Sequence, residues 1–394
     1  MENEFLNRET ELLYKGARIS KSTKTPETLP LYMTTAFNVE DLNDLTKRYE
    51  HKDYTYIRTR NPNRKALSEL VSYLENGENS LICPSGMAAI STTILTLATS
   101  GGEIIADHTL YGESIELLNY LNKFDIKVRF VNTCNLTEIK KVLNKQTIAI
   151  YTETISNPTI KTVDFIALHE LCQQNGVKLI VDNTFATSYV VKPLSLGADI
   201  VVNSLTKFAN GHSDVCIGSI TSTDEFIQQA NALQVLLGTV ASPFDSWLCE
   251  RGMRTMDLRL AKQNSNALAL AKALSENPYV KKVNYLGLEK NPQYELAKRQ
   301  FKNNFGGMLS FEVEPDKEKL NHFFQQLNFV HYAMTLGGFR TTVAHPASSS
   351  HHDMPRKERL KLGISDGLIR ISTGIENTDD LLKTFATALQ TFKE

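Results

Sequence analysis

The sequence predicts an α/β fold in which a mostly parallel central sheet is followed by a smaller C-terminal α+β domain. Three observations support this. At 394 residues the chain exceeds one ordinary core, short apolar runs alternate with helical patterns from residue 56 to about 220, and the pattern changes near residue 250. Buried parallel strands read as continuous apolar runs joined by crossover helices, so the alternation favours a sheet covered on both faces.

The predicted elements of the central sheet follow one another in a regular order. Residues 66–74 carry apolar side chains at helical spacing, and the helix-like stretch 165–174 is closed by Asn175-Gly176. The predicted strands lie at 80–82, 103–105, 128–131, 148–151, 178–181 and 199–202. In sheets of this kind ligands bind beyond the carboxyl ends of the strands, so the chemistry is expected there.

We predict three regions along the chain. Residues 1–55 are polar and irregular and are expected to form an N-terminal arm that needs a partner surface. Residues 56–250 form the predicted large domain, and residues 251–394 form the predicted small domain. The small domain is expected to contain a helical stretch after residue 251, strands at 306–313 and 367–372, and a closing amphipathic helix at 379–392.

The composition excludes several classes of function. With 41% apolar residues, 22% charged residues and a net charge of −1, the chain has no basic surplus for nucleic acid. No apolar run approaches the ~18 residues of a membrane span, and the polar N-terminus shows no secretory signal. The 5 scattered cysteines predict reduced thiols in the cytoplasm, buried as small apolar residues.

The strongest chemical signal is a lysine directly after a predicted buried strand. Lys207 follows Ser204 and Thr206, and the segment ends at Asn210-Gly211. A lysine is a poor packing residue here, whereas a partly desolvated amine has a lowered pKa and suits Schiff-base formation. The hydroxyls of Ser204 and Thr206 can donate to a phosphate. A solvated surface lysine is the alternative interpretation of this segment alone.

Two further charges occupy strand positions where each needs an oppositely charged partner. Asp182 ends the preceding strand, and a protonated pyridine nitrogen would both satisfy it and act as an electron sink. Arg370 lies in an otherwise apolar strand, and its guanidinium matches a carboxylate. The alternatives are a helix-capping aspartate and a structural salt bridge.

Two loops that follow strands add weaker signals. Ser85, Gly86 and Met87 begin an apolar helix, where a glycine lets backbone N–H groups approach an anion. The loop matches neither a Walker loop nor a dinucleotide-binding loop. Tyr111 can stack on a planar ring, although a half-buried surface tyrosine would give the same pattern.

Taken in order, these motifs resemble the Cys/Met-metabolism family of pyridoxal-phosphate (PLP) enzymes. That family includes cystathionine γ-synthase, cystathionine lyases, methionine γ-lyase and O-acetylhomoserine sulfhydrylase. The resemblance runs from about residue 30 to the end of the chain. Beyond the segments above it includes residues 56–62, Glu153 with Asn157-Pro158, Gly211-His212, residues 244–248 with Arg251-Gly252, residues 336–338 and residues 345–348.

The resemblance implies a type I aminotransferase-like PLP fold and a role for each motif residue. Lys207 would form the imine with PLP and shuttle protons, Asp182 would pair with the pyridine nitrogen, and Tyr111 would stack on the ring as a candidate base. The implied phosphate-binding residues are Ser85, Gly86, Met87, Ser204 and Thr206, joined by Tyr56 and Arg58 of a neighbouring subunit. Arg370 and Asn157 would bind the substrate carboxylate. A homodimer is the implied minimal active unit, and family members are usually homotetramers.

The implied reaction is γ-elimination from a small L-amino acid, which yields a 2-oxo acid and ammonia. The alternative is a γ-replacement transferase of the cystathionine γ-synthase or O-acetylhomoserine sulfhydrylase type, and a β preference stays open. A PLP-fold binding or regulatory module is disfavoured because Lys207 and Asp182 are both present. No metal is expected, since His345, His351 and His352 match no familiar ligand spacing.

Departures from the family pattern concern the substrate side chain. Glu113 stands where methionine γ-lyases carry a cysteine, and Glu116 stands where cystathionine-handling members carry an arginine. Met334 and Thr335 replace the residues usual before Leu336-Gly337. Glu113, Glu116 and Thr335 are therefore the candidate side-chain-binding residues. The two glutamates predict a substrate without a distal carboxylate, unless they only point to solvent.

Overall fold

The computed structural model describes residues 7–15 and 26–393, and the strands in this part of the chain form two sheets. The larger sheet contains β1 (Asn79–Cys83), β2 (Glu103–Asp107), β3 (Lys127–Val131), β4 (Thr147–Glu153), β5 (Lys178–Asp182), β6 (Ile200–Asn203) and β7 (Gly218–Ser222). The smaller sheet contains β8 (Lys282–Asn284), β9 (Met308–Glu312), β10 (His331–Tyr332), β11 (Thr342–Ala344) and β12 (Leu368–Ser372).

The helices of the described chain surround these sheets. They are α1 (Arg8–Tyr14), α2 (Leu42–Glu50), α3 (Pro62–Glu75), α4 (Gly86–Leu97), α5 (Gly112–Tyr120), α6 (Leu136–Val142), α7 (Phe165–Asn175), α8 (Thr187–Val190), α9 (Asp224–Leu237), α10 (Pro243–Met253), α11 (Met256–Glu276), α12 (Tyr294–Phe301), α13 (Lys317–Gln325), α14 (Arg356–Lys361) and α15 (Thr378–Ala388). Short 3₁₀ turns lie at Leu121–Phe124, Pro193–Leu196, Pro346–Ser348 and Leu389–Phe392.

The predicted mostly parallel sheet is confirmed. Its strand order is β1-β7-β6-β5-β4-β2-β3, and β7 runs antiparallel to both of its neighbours, while the other pairings are parallel. Each predicted strand lies within two residues of an observed one. The prediction missed β7, because the sequence Gly-Ser-Ile-Thr-Ser contains a single long apolar side chain although all five residues are buried.

The inner strands of the central sheet are buried on both faces, as continuous apolar strands require, whereas the edge strand β3 exposes Lys127 and Arg129. Leu179 faces the layer that holds Leu168 of α7, whereas the next residue, Ile180, faces the layer that holds Ile90 of α4. This alternation follows from the period of two along a strand. The carboxyl ends of β4, β5 and β6 are consequently an edge of the sheet at which polar residues can gather.

The smaller sheet is mixed, with the order β10-β11-β12-β9-β8. Its strands all follow residue 281, while those of the larger sheet all precede residue 223. We propose on this basis that the large and small domains divide near residue 250. The closing helix was predicted at 379–392, and the structure has α15 followed by the 3₁₀ turn.

The N-terminal arm differs from the irregular segment that was predicted. Within residues 1–55 the structure has the helices α1 and α2, whereas residues 1–6 and 16–25 lie outside the described part. Arg8 forms an ion pair with Asp257 at 2.7 Å, and Leu12 is buried. The described part of the arm thus packs on its own chain through α11, which sequence periodicity could not reveal.

Two of the cysteines also depart from prediction. Cys83, Cys172 and Cys249 are buried, as expected of small apolar residues, but Cys134 and Cys216 are exposed. Both exposed cysteines lie in loops between elements rather than on an apolar face. In the part of the chain that the structure describes, no helix combines the length and apolar character that crossing a bilayer requires.

We expect the core of the smaller sheet to depend on Phe323. Its ring lies within 5.4–6.4 Å of four other aromatic rings and is fully buried. Phe323→Ala should lower the free energy of unfolding by about 3–5 kcal/mol, because it removes apolar contacts and leaves a cavity. Phe329→Ala, at a ring that is 42% exposed, is the matched control and should cost less than about 1 kcal/mol. Equal losses in urea unfolding would contradict this assignment.

Candidate active site

The parallel register of three strands brings polar residues to one edge of the larger sheet. Glu153 at the end of β4 pairs with Asp182 at the end of β5, which in turn pairs with Val202 of β6. Lys207 follows β6 by one turn, and its backbone N–H donates to the Ser204 carbonyl at 3.1 Å. The carboxyl edge at which sequence analysis expected chemistry therefore holds two carboxyls and an amine.

Lys207 is a partly buried amine in this edge. Burial is the main cause that lowers the pKa of its ammonium, and the positive charge of Arg370 lowers it further. Lys207 forms no ion pair with any described residue. A larger fraction of unprotonated amine near neutral pH follows, which is the state that attacks a carbonyl carbon.

The backbone around Lys207 is fixed by a glycine and a buried arginine. Gly337 has φ +79°, and a Cβ atom at that position would lie 2.4 Å from the Phe208 nitrogen, so only glycine fits. Arg259 donates from its guanidinium to the carbonyl oxygens of Phe208 and Ala209 at 3.0 and 2.8 Å. Residues 336–338, the Leu-Gly-Gly motif, thus allow close packing against the turn that carries Lys207. The role of Arg259 in supporting this turn was not predicted from the sequence.

Asp182 has the environment of a carboxylate that needs an external cation. Its Oδ1 accepts a hydrogen bond from the Thr184 N–H at 2.9 Å, and burial raises the pKa of the carboxyl. Among the described residues no lysine, arginine or histidine forms an ion pair with it. The protonated nitrogen of a pyridine ring would supply that charge, so Asp182 fits PLP.

Glu153 is a second buried carboxyl, beside Asp182. Its Oε1 accepts from the Tyr111 backbone N–H at 2.9 Å, while its buried Oε2 has no partner among the described residues. Burial, followed by the negative charge of Asp182, raises the pKa of Glu153 well above its ordinary value. Glu153 therefore holds the start of α5 in place. In the sequence Glu153 was recognised only as part of a family motif, and this role was not predicted.

The start of α4 provides backbone donors for an anion. Gly86 and Met87 are its first residues, so their N–H groups lack a carbonyl one turn earlier, and Ser85 caps the helix by accepting from the Ala88 N–H at 3.0 Å. A Cβ atom on Gly86 would lie 2.7 Å from Cβ of Ser204, which places this turn directly against the lysine segment.

Thr206, also predicted to bind phosphate, is engaged with the backbone. Its hydroxyl donates to the Ile217 carbonyl at 3.1 Å and accepts from the Ile217 N–H at 2.8 Å. A phosphate contact would require this hydroxyl to turn away from the carbonyl. Ser85 differs, because its capping oxygen accepts a hydrogen bond and leaves its own proton free to donate.

Arg370 is a buried cation whose partners are neutral. It is 5% exposed, and it donates to Asn157 Oδ1 at 3.2 Å and to the Thr335 carbonyl oxygen at 3.4 Å. Burial lowers the pKa of its guanidinium to about 10. No described carboxylate forms an ion pair with it, so the three predicted residues are brought together in a site suited to a substrate carboxylate.

Tyr111 is the N-cap residue of α5, Glu113 lies in the first turn of that helix, and Glu116 follows in the next turn. Burial, and then the carboxylate of Glu113, raises the pKa of the Tyr111 phenol to about 12, and Glu116 acts in the same direction. The negative charge of Glu113 also partly offsets the fall in the Lys207 pKa. Glu113 thus acts electrostatically on both Tyr111 and Lys207, and Glu116 acts on Tyr111.

His351 is a site neighbour that sequence analysis considered only as a metal ligand. It is 7% exposed, and burial with the charges of Arg370 and Arg359 lowers its pKa to about 4. Its Nδ1 lies 2.9 Å from the Ser350 hydroxyl. No spacing rule could have found it, because its proximity to Arg370 arises from folding of the loop. No group of three or more metal-ligating side chains occurs in the described chain.

Tyr56 and Arg58 lie at the surface. Both are exposed, Arg58 Nη1 donates to the Val235 carbonyl at 3.0 Å, and the guanidinium lies 5.6 Å from the centre of the Tyr56 ring. This position is beside the end of α9.

Comparison with known proteins identifies the family to which these motifs belong. A family model described as "Cys/Met metabolism PLP-dependent enzyme" matches residues 9–390. An L-methionine gamma-lyase of Fusobacterium nucleatum subsp. nucleatum is 38% identical over 368 residues, which cover 92% of this chain and 93% of the relative. A cystathionine gamma-lyase of Bacillus subtilis is 41% identical over 346 residues, covering 87% and 90%.

A solved structure shows the same fold. The crystal structure of cystathionine gamma synthase from Xanthomonas oryzae pv. oryzae, in complex with aminoacrylate and cysteine, has a TM-score of 0.94 and 33% identity, and the match covers 99% of both chains. The resemblance seen in the sequence is thereby confirmed. This chain belongs to the Cys/Met-metabolism family of PLP-dependent enzymes and has the type I aminotransferase-like fold.

Proposed function

We propose that this enzyme removes a γ substituent from an L-amino acid and releases a 2-oxo acid and ammonia. The observation that carries the proposal is the pairing of a partly buried Lys207 amine with a buried Arg370 that has neutral partners. An amino acid presents a matching amine and carboxylate. The names of the relatives, a methionine γ-lyase and a cystathionine γ-lyase, support elimination at the γ carbon.

The residues of this chain divide the work between binding and proton transfer. Arg370 would hold the substrate carboxylate, with Asn157 fixing the guanidinium plane. Bound PLP supplies an electron sink that stabilises negative charge at Cα. Its pyridine end would face Asp182, and its phosphate would meet the start of α4 with Ser204.

Proton transfer falls to Lys207 and Tyr111. The lowered pKa of Lys207 favours a free amine that accepts the Cα proton and later returns it. The raised pKa of Tyr111 keeps the phenol protonated, so it can donate a proton to the departing group. A role of Tyr111 as a base would require the additional positive charge of the loaded site.

γ-Replacement is the second candidate reaction, because the synthase from Xanthomonas has the same fold over 99% of the chain. The two reactions share every residue role given above. They differ in whether a nucleophile such as a thiol adds at the γ carbon after the leaving group has departed. Purified enzyme incubated with O-acetylhomoserine and a thiol separates them. A thioether product would favour replacement, and 2-oxo acid with ammonia would favour elimination.

We further propose a cytoplasmic enzyme whose minimal unit is a homodimer and whose full assembly is a homotetramer. The exposure of Tyr56 and Arg58 at the surface supports this, because a neighbouring subunit could bring its PLP phosphate to them. The far end of the substrate would meet Glu113 and Glu116. Their negative charges would disfavour a second carboxylate.

The proposed cofactor roles predict how variants of Lys207 and Asp182 behave. Wild-type protein with PLP should absorb visible light, and Lys207→Ala should lower kcat by about 10²–10⁴-fold because the amine is lost. Asp182→Ala should retain PLP through the phosphate contacts yet react slowly. Lys178→Ala, at the opposite end of β5, is the control and should keep wild-type kinetics. A wild-type protein that gains no visible absorbance with PLP refutes the proposal.

The proposed sharing of sites between subunits predicts that two inactive variants complement each other. Mixing Arg58→Ala protein with Lys207→Ala protein should restore about a quarter of wild-type activity, since half the dimers are hybrids with one intact site of two. Light scattering and a tagged subunit would confirm exchange. Confirmed exchange without recovered activity would show that sites are not shared.

The negative charges of Glu113 and Glu116 predict a ranking of substrates. Cystathionine should have a lower kcat/KM than methionine, O-acetylhomoserine or canavanine, because repulsion from Glu113 and Glu116 disfavours its distal carboxylate by roughly 1–3 kcal/mol. Glu113→Gln and Glu116→Gln should narrow that difference. Glu138→Gln, on α6, serves as the control. Cystathionine ranking first, or an unchanged ranking in both variants, would contradict the hypothesis.

A further inference from the structure

A third buried carboxyl lies behind the site, at the last residue of α3. Glu75 is 3% exposed and forms no ion pair with a described residue. Its oxygens accept from Asn203 Nδ2 at 2.9 Å and from Asn183 Nδ2 at 3.3 and 3.2 Å. Two amide groups from different strands thus meet on one carboxyl.

The two asparagines adjoin the residues proposed to hold the cofactor. Asn183 follows Asp182 at the end of β5, and Asn203 precedes Ser204 at the end of β6. Successive residues of a strand point to opposite faces, so the asparagines point away from the site while Asp182 points toward it. Glu75 therefore ties the two strand ends together from the far side of the sheet.

The backbone supports the same connection. The Asn183 N–H donates to the Val202 carbonyl at 2.9 Å, which is the last link between β5 and β6. Asn183 Nδ2 also donates to the Val191 carbonyl at 3.0 Å, which anchors the chain that leaves α8. A shift of the Glu75 carboxyl would move both strand ends and the turns that follow them.

A carboxyl suits this position better than a neutral side chain. Burial raises the pKa of Glu75 to about 7, and the hydrogen bonds from the two asparagines oppose that rise. Glu75 Oε1 accepts from both asparagines and Oε2 accepts from Asn183, so a glutamine that kept Oε1 in place would turn its own N–H₂ toward the Asn183 donor. A buried donor that faces another donor is left without an acceptor, which destabilises the contact.

We infer that Glu75 is a positioning residue for PLP. By fixing the ends of β5 and β6 relative to each other, it sets the separation of Asp182 from Ser204, and hence of the pyridine contact from the phosphate contact. The inference rests on the cofactor roles given to these two residues under Proposed function. It adds a residue that contacts neither PLP nor substrate.

The test measures cofactor binding rather than turnover. Apoenzyme is titrated with PLP, and both the Kd and the visible spectrum of the bound cofactor are recorded. Glu75→Gln should raise the Kd about tenfold, as loss of an outer hydrogen-bond partner does in metal sites, and should shift the absorbance maximum. Glu69→Gln, at a partly exposed position on the same helix, should change neither.

A reversed pair provides the rescue. In the double variant E75Q/N203D the amide and the carboxyl exchange places, so each donor again meets an acceptor, and the Kd should return to within about threefold of wild type. N203D alone places two carboxyls together, and this variant should bind PLP more weakly than the double variant and more weakly than wild type. If E75Q protein does not fold, Asn203→Ala removes one donor and should raise the Kd in the same direction.

Two results would overturn the inference. One is an E75Q apoenzyme, or N203A where E75Q is insoluble, with wild-type Kd and spectrum. The other is a double variant that binds no better than E75Q. Failure of the wild-type protein itself to bind PLP would instead refute the proposed function, so the two failures are distinguishable.

Discussion

The parallel pairing of β4, β5 and β6 is the constraint on which the rest of the site depends. Its register places Glu153 and Asp182 side by side at the same edge and directs the chain after Asn203 into the Lys207 turn. Because each strand is buried on both faces, the edge is where polar groups can be accommodated. The other parts of the site are the starts of α4 and α5, the segment around Gly337, and β12, which carries Arg370.

The buried charged groups of the site have no ionic partner among the described residues. Asp182, Glu153 and Arg370 form no ion pair with a described residue, and burial shifts the pKa of each toward its neutral form. Isolated buried charges are costly, so a folded chain keeps such groups where an ionic ligand will meet them. A cofactor with a cationic ring and an anionic tail, and a zwitterionic substrate, together supply the missing charges.

The departures from the family pattern lie on α5 and at residues 334–335. The residues proposed to hold the cofactor match the family motifs, whereas Glu113 and Glu116 depart from them. Glu113 acts electrostatically on both Tyr111 and Lys207. We therefore expect a change at Glu113 to alter substrate preference and proton transfer together.

Local sequence determined the strands, the helix starts and the chemistry of the edge. Apolar runs, the Ser85 cap, Asn175-Gly176, the placement of Lys207 and Asp182 after strands and the ordered motifs are properties of a few consecutive residues. Tertiary structure alone decided which distant residues meet. The pairing of Glu75 with two strand ends, the approach of His351 to Arg370, the support of the lysine turn by Arg259 and the insertion of polar β7 join segments far apart in the chain. Their contacts depend on strand order and packing, which no local pattern encodes.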